Sequence, residues 1–249
     1  LRQYRGKGRD DYPLAVLWGV MLLTVLLRHP SIEATLAELT RNAGLRRLIG
    51  IESESKVPRG YNVSRFLTVL GTEPHRTLLA DVFNRMIRQL GQTVPTLGEQ
   101  TAGDSSGLSG RGDGKAAAFG LDEPTGGRKE YTDAEGKVTR VVEWFGYKFH
   151  LLVDVKHEVA LAYKASTANV GDCDYVGPLV KQARANLPKG RIKTLAYDKA
   201  ADTEGVHQAL DRAGIGPLIE NRSLWKADFE RMLPGHDGRS NIVHDEAGT

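Results

Sequence analysis

The sequence predicts an α/β domain preceded by an all-helical segment, and two contrasting patterns support this. Up to residue 92, apolar residues recur three or four positions apart, the spacing of one helix face. From residue 141 onward, runs rich in β-branched and aromatic residues alternate with helical patterns. Such alternation is typical of a sheet flanked by helices. We therefore expect two domains, residues 1–92 and residues 93–249.

In the first domain, each predicted helix starts at a residue that favours helix N-termini: Pro13, Ser31, Asn62 or Ser64, and Pro74. Residues 45–49 suggest one further short helix. Short helices separated by tight turns are compatible with a helix-turn-helix module, in which Arg59 and Arg65 would face DNA. A plain helical bundle with solvated arginines is the alternative.

The bulk properties restrict the possible classes of protein. The apolar run at residues 14–27 is shorter than the ~20 residues that cross a bilayer, so a buried core helix is expected and no membrane partner. The single cysteine, Cys173, excludes a disulfide framework and a cysteine-based zinc site, and is compatible with a reducing cytoplasm. Residues 1–103 hold 14 Lys/Arg against 9 Asp/Glu, and the remainder 20 against 22. This asymmetry is compatible with a DNA-binding N-terminal half and a metal-binding C-terminal half. A chance fluctuation is the alternative.

The second domain is predicted to contain four strands and two helices. The strands cover residues 141–155, 159–166, 191–197 and 215–219, and the helices cover residues 172–185 and 202–213. The first two strands are close enough to pair as an antiparallel hairpin. Residues 123–140 are Gly-rich and charged, which is typical of an exposed loop or a hairpin.

Two aspartates lie at or near predicted strand ends, where an open α/β sheet binds its ligands. Asp104 follows a short possible strand, and Asp198 follows a clear one. Two such carboxylates can share hard cations such as Mg²⁺, and a pair of ions can clamp the attacking and leaving oxygens of a phosphodiester. Alternatively, Asp104 shapes a loop and Asp198 caps the helix that begins near Ala200.

Other motifs are weaker. Ser105 would need a positioned histidine to act as a nucleophile. The stretch at residues 110–115 departs from the GxxxxGK[ST] phosphate loop at both ends. His150 alternates with apolar neighbours and is interpreted as structural. Lys148 shares the face of His150, from which it would reach a DNA phosphate or water.

Several phrases together resemble insertion-sequence transposases of the DDE type. G-D-S-S-G-L-S-G at residues 103–110 is similar to the first-aspartate motif of that family, and T-L-A-Y-D-K-A-A-D-T at residues 194–203 to its second. W-F-G-Y-K-F-H-L-L-V-D at residues 144–154 and the stretch at residues 160–172 resemble the core strands between them. Residues 30–70 resemble the family's helical N-terminal segment. One departure is Ala200-Ala201, where the family often has Gly-Tyr.

The resemblance implies a ribonuclease-H-like mixed sheet with Asp104 on the first strand and Asp198 on the fourth. It implies two Mg²⁺ or Mn²⁺ ions held by these catalytic aspartates. It also implies cleavage at terminal inverted repeats of double-stranded DNA and joining to target DNA, by a homodimer in the cytoplasm associated with the nucleoid. The candidate DNA contacts are Arg59, Arg65, Arg111, Lys148 and Lys199.

The family also needs a third acid, normally a glutamate within a Tyr–Arg–Glu–Lys spacing. No tyrosine follows Tyr197, and Glu220, Glu230 and Glu246 lack the expected context. We therefore expect a C-terminally truncated and catalytically inactive transposase. The alternatives are a remnant that binds DNA without cutting it, a ribonuclease-H-like nuclease, and a structural α/β protein whose two aspartates lie far apart.

Overall fold

The N-terminal region is helical, as predicted. The computed structural model describes residues 12–110, 114, 116–133, 137–220, 231–232 and 243–244. Among these residues, five α-helices precede the first strand: α1 (Leu14–Leu26), α2 (Ile32–Arg41), α3 (Ala43–Leu48), α4 (Gly60–Leu70) and α5 (His75–Thr93). Ser31 caps α2 as expected, because its side chain accepts a hydrogen bond from the amide of Ala34.

Several helix boundaries differ from the prediction by one to three residues. Gly44 predicts the end of the second helix, but the helix ends earlier, at Arg41, because the Asn42 side chain accepts hydrogen bonds from the amides of Gly44 and Leu45 and so starts α3 there. The fourth helix begins at Gly60, two residues before the earliest predicted start.

The first helix is half-buried, not wholly buried. Its inner face, including Leu17 and Val20, packs with α2 and α4 into one apolar core, whereas Val25 and Leu26 are exposed. No helix among the described residues has the length and apolar character to cross a membrane.

The second region contains a mixed sheet with helices packed against it. Its strands are β1 (Gln100–Ser109), β2 (Thr125–Thr132), β3 (Val138–Asp154), β4 (Val159–Thr167), β5 (Thr194–Tyr197) and β6 (Gly216–Ile219). Helix α6 (Cys173–Asn186) connects β4 to β5, and α7 (Glu204–Ala213) connects β5 to β6. A separate two-stranded ladder pairs β7 (Arg231–Met232) with β8 (Val243–His244).

The sheet has the ribonuclease-H-like arrangement that the resemblance implies. Its core order is β4-β3-β1-β5-β6, with β3 antiparallel to both neighbours and β1, β5 and β6 parallel. The predicted hairpin between β3 and β4 is confirmed. For residues 123–140 the sequence left a loop or a hairpin open, and the described part of this stretch is a hairpin, because β2 pairs with the first part of β3. The first strand is longer than the residues alone predict, so Asp104 lies inside β1, as the resemblance implies, and not after it.

Helix α5 belongs to both apolar cores. Leu79 packs against the core of the N-terminal helices, while Phe83 and Ile87 pack into the core between the sheet and α6. The side-chain oxygen of Asn84 accepts hydrogen bonds from Asn186 at 2.8 Å and from Gln182 at 3.3 Å, both on α6. The expected boundary at residue 92 thus falls at the end of a helix that the two regions share.

The glycines of the first-aspartate motif are explained by close packing. A Cβ atom on Gly103 would overlap the ring of Tyr197, and one on Gly107 would lie 2.7 Å from the Trp144 ring. Both aromatic rings therefore need a glycine opposite them to lie against β1.

Replacing Ile87 tests whether α5 is part of the sheet domain. Ile87 is 3% exposed, so we expect Ile87→Ala to lower the free energy of unfolding by about 2–5 kcal/mol, through lost contacts and a residual cavity. Met86, one position earlier and 56% exposed, is the matched control, and Met86→Ala should change the stability little. Urea denaturation of both variants measures the difference, and equal losses would contradict the assignment.

A methyl group at Gly103 should force Tyr197 to move. We expect Gly103→Ala to destabilise the protein by about 1–3 kcal/mol, the usual range for overpacking. Gly126 on β2 has open space where its Cβ would lie, so Gly126→Ala is the control. Thermal unfolding of the two variants separates a steric effect at Gly103 from a general cost of replacing glycine in a strand.

Candidate active site

The site lies at a notch in the sheet, created by the short length of β5. The parallel pairing of β1 with β5 runs from Gln100 opposite Thr194 to Ala102 opposite Ala196. Beyond that point β5 ends at Tyr197, whereas β1 continues to Ser109 against β3 alone. Polar side chains at this edge are therefore not enclosed by a neighbouring strand.

Three carboxylates meet at the notch. Asp104 and Asp198, the two residues predicted from the sequence, are joined by Asp172, and one oxygen from each lies within 4.8 Å of the other two. Asp104 and Asp198 are exposed and Asp172 is partly buried. We call these three residues the carboxylate cluster. In the part of the chain that the structure describes, no other group of three or more His, Cys, Asp or Glu side chains could hold a metal ion.

Local hydrogen bonds fix the two exposed aspartates. The Asp104 side chain accepts a hydrogen bond of 2.7 Å from the amide of Ser105. Asp198 accepts one of 3.1 Å from the amide of Ala200 and so caps the short 3₁₀ turn Lys199–Ala201. The alternative interpretation of Asp198 as a cap is thus correct, but it does not exclude a place in the cluster. Ala201, where the family often has a tyrosine, is fully buried in the core.

Asp172 is the residue that the sequence analysis missed. Its sequence context predicts only the start of a helix, and it is the N-cap residue of α6. Lys148 on β3 lies opposite, with its Nζ atom 2.9 Å from Asp172 Oδ1 and 2.8 Å from the carbonyl oxygen of Val170, to which it donates. The available signal was topological, because the helix that connects β4 to β5 must begin near the edge where β5 ends.

Two buried residues lie beside the cluster. His150 is fully buried, with Nδ1 3.9 Å from Asp172 Oδ1, Nε2 2.8 Å from Ser166 Oγ, and its ring stacked on Tyr175. Burial lowers the pKa of His150, against the opposing effect of Asp172, and this favours a neutral ring. Burial, followed by the charges of Asp172, Asp104 and Asp198, raises the pKa of Tyr197 well above its usual value, so its hydroxyl stays protonated.

The remaining candidate site residues are not part of the carboxylate cluster or lie outside the residues that the structure describes. Lys199 is exposed next to Asp198, and Arg59 and Arg65 are exposed on the N-terminal helices. Glu220 is exposed after β6 and is not part of the cluster. Arg111, Glu230 and Glu246 lie outside the described residues.

Asp154 is a buried carboxylate with a structural role. Its two oxygens accept hydrogen bonds from the amides of Gly98 at 2.6 Å and His157 at 2.7 Å. The first bond ties the end of β3 to the segment that leads into β1, and the second lies in the turn between β3 and β4, which explains the aspartate at the end of the core-strand motif.

Solved transposase structures resemble this chain at low similarity. A piggyBac transposase synaptic complex with hairpin DNA aligns with 14% identity and a TM-score of 0.47, covering 88% of this chain and 46% of that one. The Mos1 transposase paired-end complex with the left transposon end aligns with 13% identity and a TM-score of 0.29. The Mos1 mariner paired-end complex with Mn aligns with 12% identity and a TM-score of 0.30. Each Mos1 alignment covers 87% of this chain and 61% of that one. The chain thus spans roughly half of the lengths of these transposases.

Sequence comparison gives the family. Among curated proteins none matches the chain. A family model described as "Transposase domain (DUF772)" matches residues 1–68, the N-terminal helices up to the third turn of α4. A second, described as "Transposase DDE domain", matches residues 97–244, which is more than half of the chain and includes the whole carboxylate cluster. The chain belongs to the transposase DDE domain family.

Proposed function

We propose that this protein binds transposon-end DNA and catalyses metal-dependent strand cleavage and strand transfer. The observation that carries the proposal is the carboxylate cluster, because it brings Asp104 and Asp198 together at the notch of a ribonuclease-H-like sheet. The family supports a transposase, and the cluster supplies a place for its chemistry.

The cluster has the donor chemistry for Mg²⁺ or Mn²⁺. Hard divalent cations prefer carboxylate oxygens, and three of them converge here. Asp104 and Asp198 would hold two ions, with Asp172 as a third carboxylate. Bound ions would activate the attacking water or 3′-hydroxyl and stabilise the charge that develops on the phosphodiester.

The chain's own residues position this chemistry. The amides of Ser105 and Ala200 hold one oxygen of Asp104 and one of Asp198, which restricts the rotation of both side chains. Exposure of both aspartates leaves room for a DNA strand at the notch. Lys199, exposed beside Asp198, is suited to a phosphate next to the cleavage point.

The third acid of the reaction stays a prediction. Asp172 completes a set of three carboxylates and forms an ion pair with Lys148. It precedes Asp198 in the chain, whereas the glutamate that the resemblance implies would follow Asp198. We therefore still expect this chain to cut DNA poorly by itself, and a DNA-binding remnant is the second candidate function.

Duplex DNA would lie along the N-terminal helices and across the notch. Arg59 and Arg65 are the proposed contacts on the helices, with Arg111 as a further candidate outside the described residues. A homodimer that holds two transposon ends, acting in the cytoplasm on the nucleoid, completes the proposal.

A cleavage assay tests the site. DNA that carries the element's terminal inverted repeat is incubated with Mg²⁺ and either this chain or a version that continues through the family's glutamate helix. We expect the longer version to nick the DNA and Asp104→Asn or Asp198→Asn to lower its rate by roughly 10²-fold or more, through loss of transition-state stabilisation. This chain should be slower by a similar factor.

The control for the cleavage assay is Asp211→Asn, which removes an exposed carboxylate on α7 and should leave the rate unchanged. Binding without nicking by any version would favour the remnant. Nicking without joining of the 3′ end to target DNA would favour a ribonuclease-H-like nuclease.

Salt dependence tests the proposed contacts on the helices. If Arg59 and Arg65 each neutralise one phosphate, Arg59→Ala and Arg65→Ala should each weaken DNA binding and lower the slope of log K against log salt by about one. Arg41 is the control, because it lies on α2 in an ion pair of 3.0 Å with Glu38. An unchanged slope in either variant would remove that arginine from the interface.

A further inference from the structure

The ammonium group of Lys148 occupies a position beside the carboxylate cluster where a metal ion would otherwise bind. Its ammonium group lies 2.9 Å from Asp172 Oδ1, and the side chains of Lys148 and Asp172 are only 18% and 13% exposed. Three negative charges within 4.8 Å repel one another, and this ammonium reduces that repulsion. The pair is less screened by water than a surface ion pair, so the attraction between the two charges is stronger.

Two buried polar atoms beside the cluster lack hydrogen-bond partners among the described residues. They are His150 Nδ1 and the Tyr197 hydroxyl oxygen, on side chains that are 0% and 7% exposed. Both residues are close to the cluster, because His150 Nδ1 lies 3.9 Å from Asp172 Oδ1, and Tyr197, which directly precedes Asp198, packs its ring against Gly103, the neighbour of Asp104. Buried polar atoms are nearly always satisfied, so the protein side chains alone leave this site incomplete.

The hydrogen bonds of His150 indicate which partner is missing. Ser166 Oγ donates its proton to the carbonyl oxygen of Thr167, so it accepts from His150 Nε2. His150 Nδ1 lies 3.9 Å from Asp172 Oδ1, which is too far for a hydrogen bond, so its partner is not among the described side chains. A hydrated cation beside Asp172 brings water molecules that can donate to this nitrogen.

We propose that Lys148 is a resident counter-ion that a divalent metal ion displaces from Asp172. This inference rests on the proposed function of the cluster and deepens it. Without metal, Lys148 neutralises Asp172. With metal, Asp172 turns to the ion, and the freed ammonium binds a phosphate of double-stranded DNA.

The exchange makes metal binding and DNA binding depend on each other. Lys148 competes with the metal for Asp172, so it weakens metal binding by the free chain. The same ammonium is available to DNA only after the metal has displaced it. Metal should therefore raise the affinity for DNA, and by linkage DNA should raise the affinity for metal by the same factor.

Metal binding to the free chain tests the first half of the proposal. The probe is Mn²⁺ alone, followed by calorimetry and by the electron paramagnetic resonance signal of the free ion. We expect Lys148→Met to bind Mn²⁺ about tenfold more tightly than the wild type, because the competing charge is gone. The control is Lys189→Met, which also removes one positive charge but lies beyond the far end of α6, a helix of 14 residues and about 21 Å. It should bind Mn²⁺ as the wild type does.

A random-sequence DNA duplex tests the second half. Mn²⁺ should increase the DNA affinity of the wild type several-fold, and Lys148→Met should lose most of that increase. Asp172→Asn is the complementary variant, since it releases Lys148 without metal. It should bind Mn²⁺ more weakly, and its DNA affinity should depend little on Mn²⁺.

Equal or weaker Mn²⁺ binding by Lys148→Met would overturn the inference and leave Lys148 with a structural role. If Lys148→Met does not fold, Asp172→Asn alone tests the inference. The inference would be overturned if DNA binding by Asp172→Asn depended on Mn²⁺ as strongly as DNA binding by the wild type does. Failure of the proposed function looks different. In that case Asp104→Asn would bind as much Mn²⁺ as the wild type does, or neither protein would bind Mn²⁺.

Discussion

Mutual repulsion among three closely spaced carboxylates is the constraint that the site depends on. Asp104, Asp172 and Asp198 come from a strand, a helix start and a strand end that are widely separated along the chain. The sheet register and the backbone amides hold two of them in place, and Lys148 offsets the charge of the third. Because a bound cation would reduce the repulsion among these carboxylates, the solvated notch is suited to binding divalent cations.

Much of the fold could be predicted because its signals are local. The β3–β4 hairpin, the alternation of strands and helices and the cap at Ser31 each follow from a few neighbouring residues. The full length of β1 could not be predicted, because its outer part contains the small polar residues of the aspartate motif and is held by pairing with β3. Strand pairing at that distance leaves little trace in a short sequence window.

The candidate site was only partly predictable for a related reason. Asp104 and Asp198 stand out by motif and by their position near strand ends. Asp172 has the local signature of an ordinary helix start and gains its place in the cluster from the crossover that links β4 to β5. Asp198 shows that the two kinds of role are compatible, since one of its oxygens caps a turn while the residue still belongs to the cluster. A local role is therefore no argument against a functional one.

Helix α5 makes the N-terminal helices and the sheet mechanically continuous. It is anchored in both apolar cores, and Asn84 fastens it to Asn186 and Gln182 near the C-terminal end of α6. The opposite end of α6 carries Asp172. The N-terminal helices are therefore connected to the notch through α5 and α6. Helix α6 spans about 21 Å of this distance. A displacement of the N-terminal helices would thus be transmitted to the carboxylate cluster and would not be absorbed in a flexible joint.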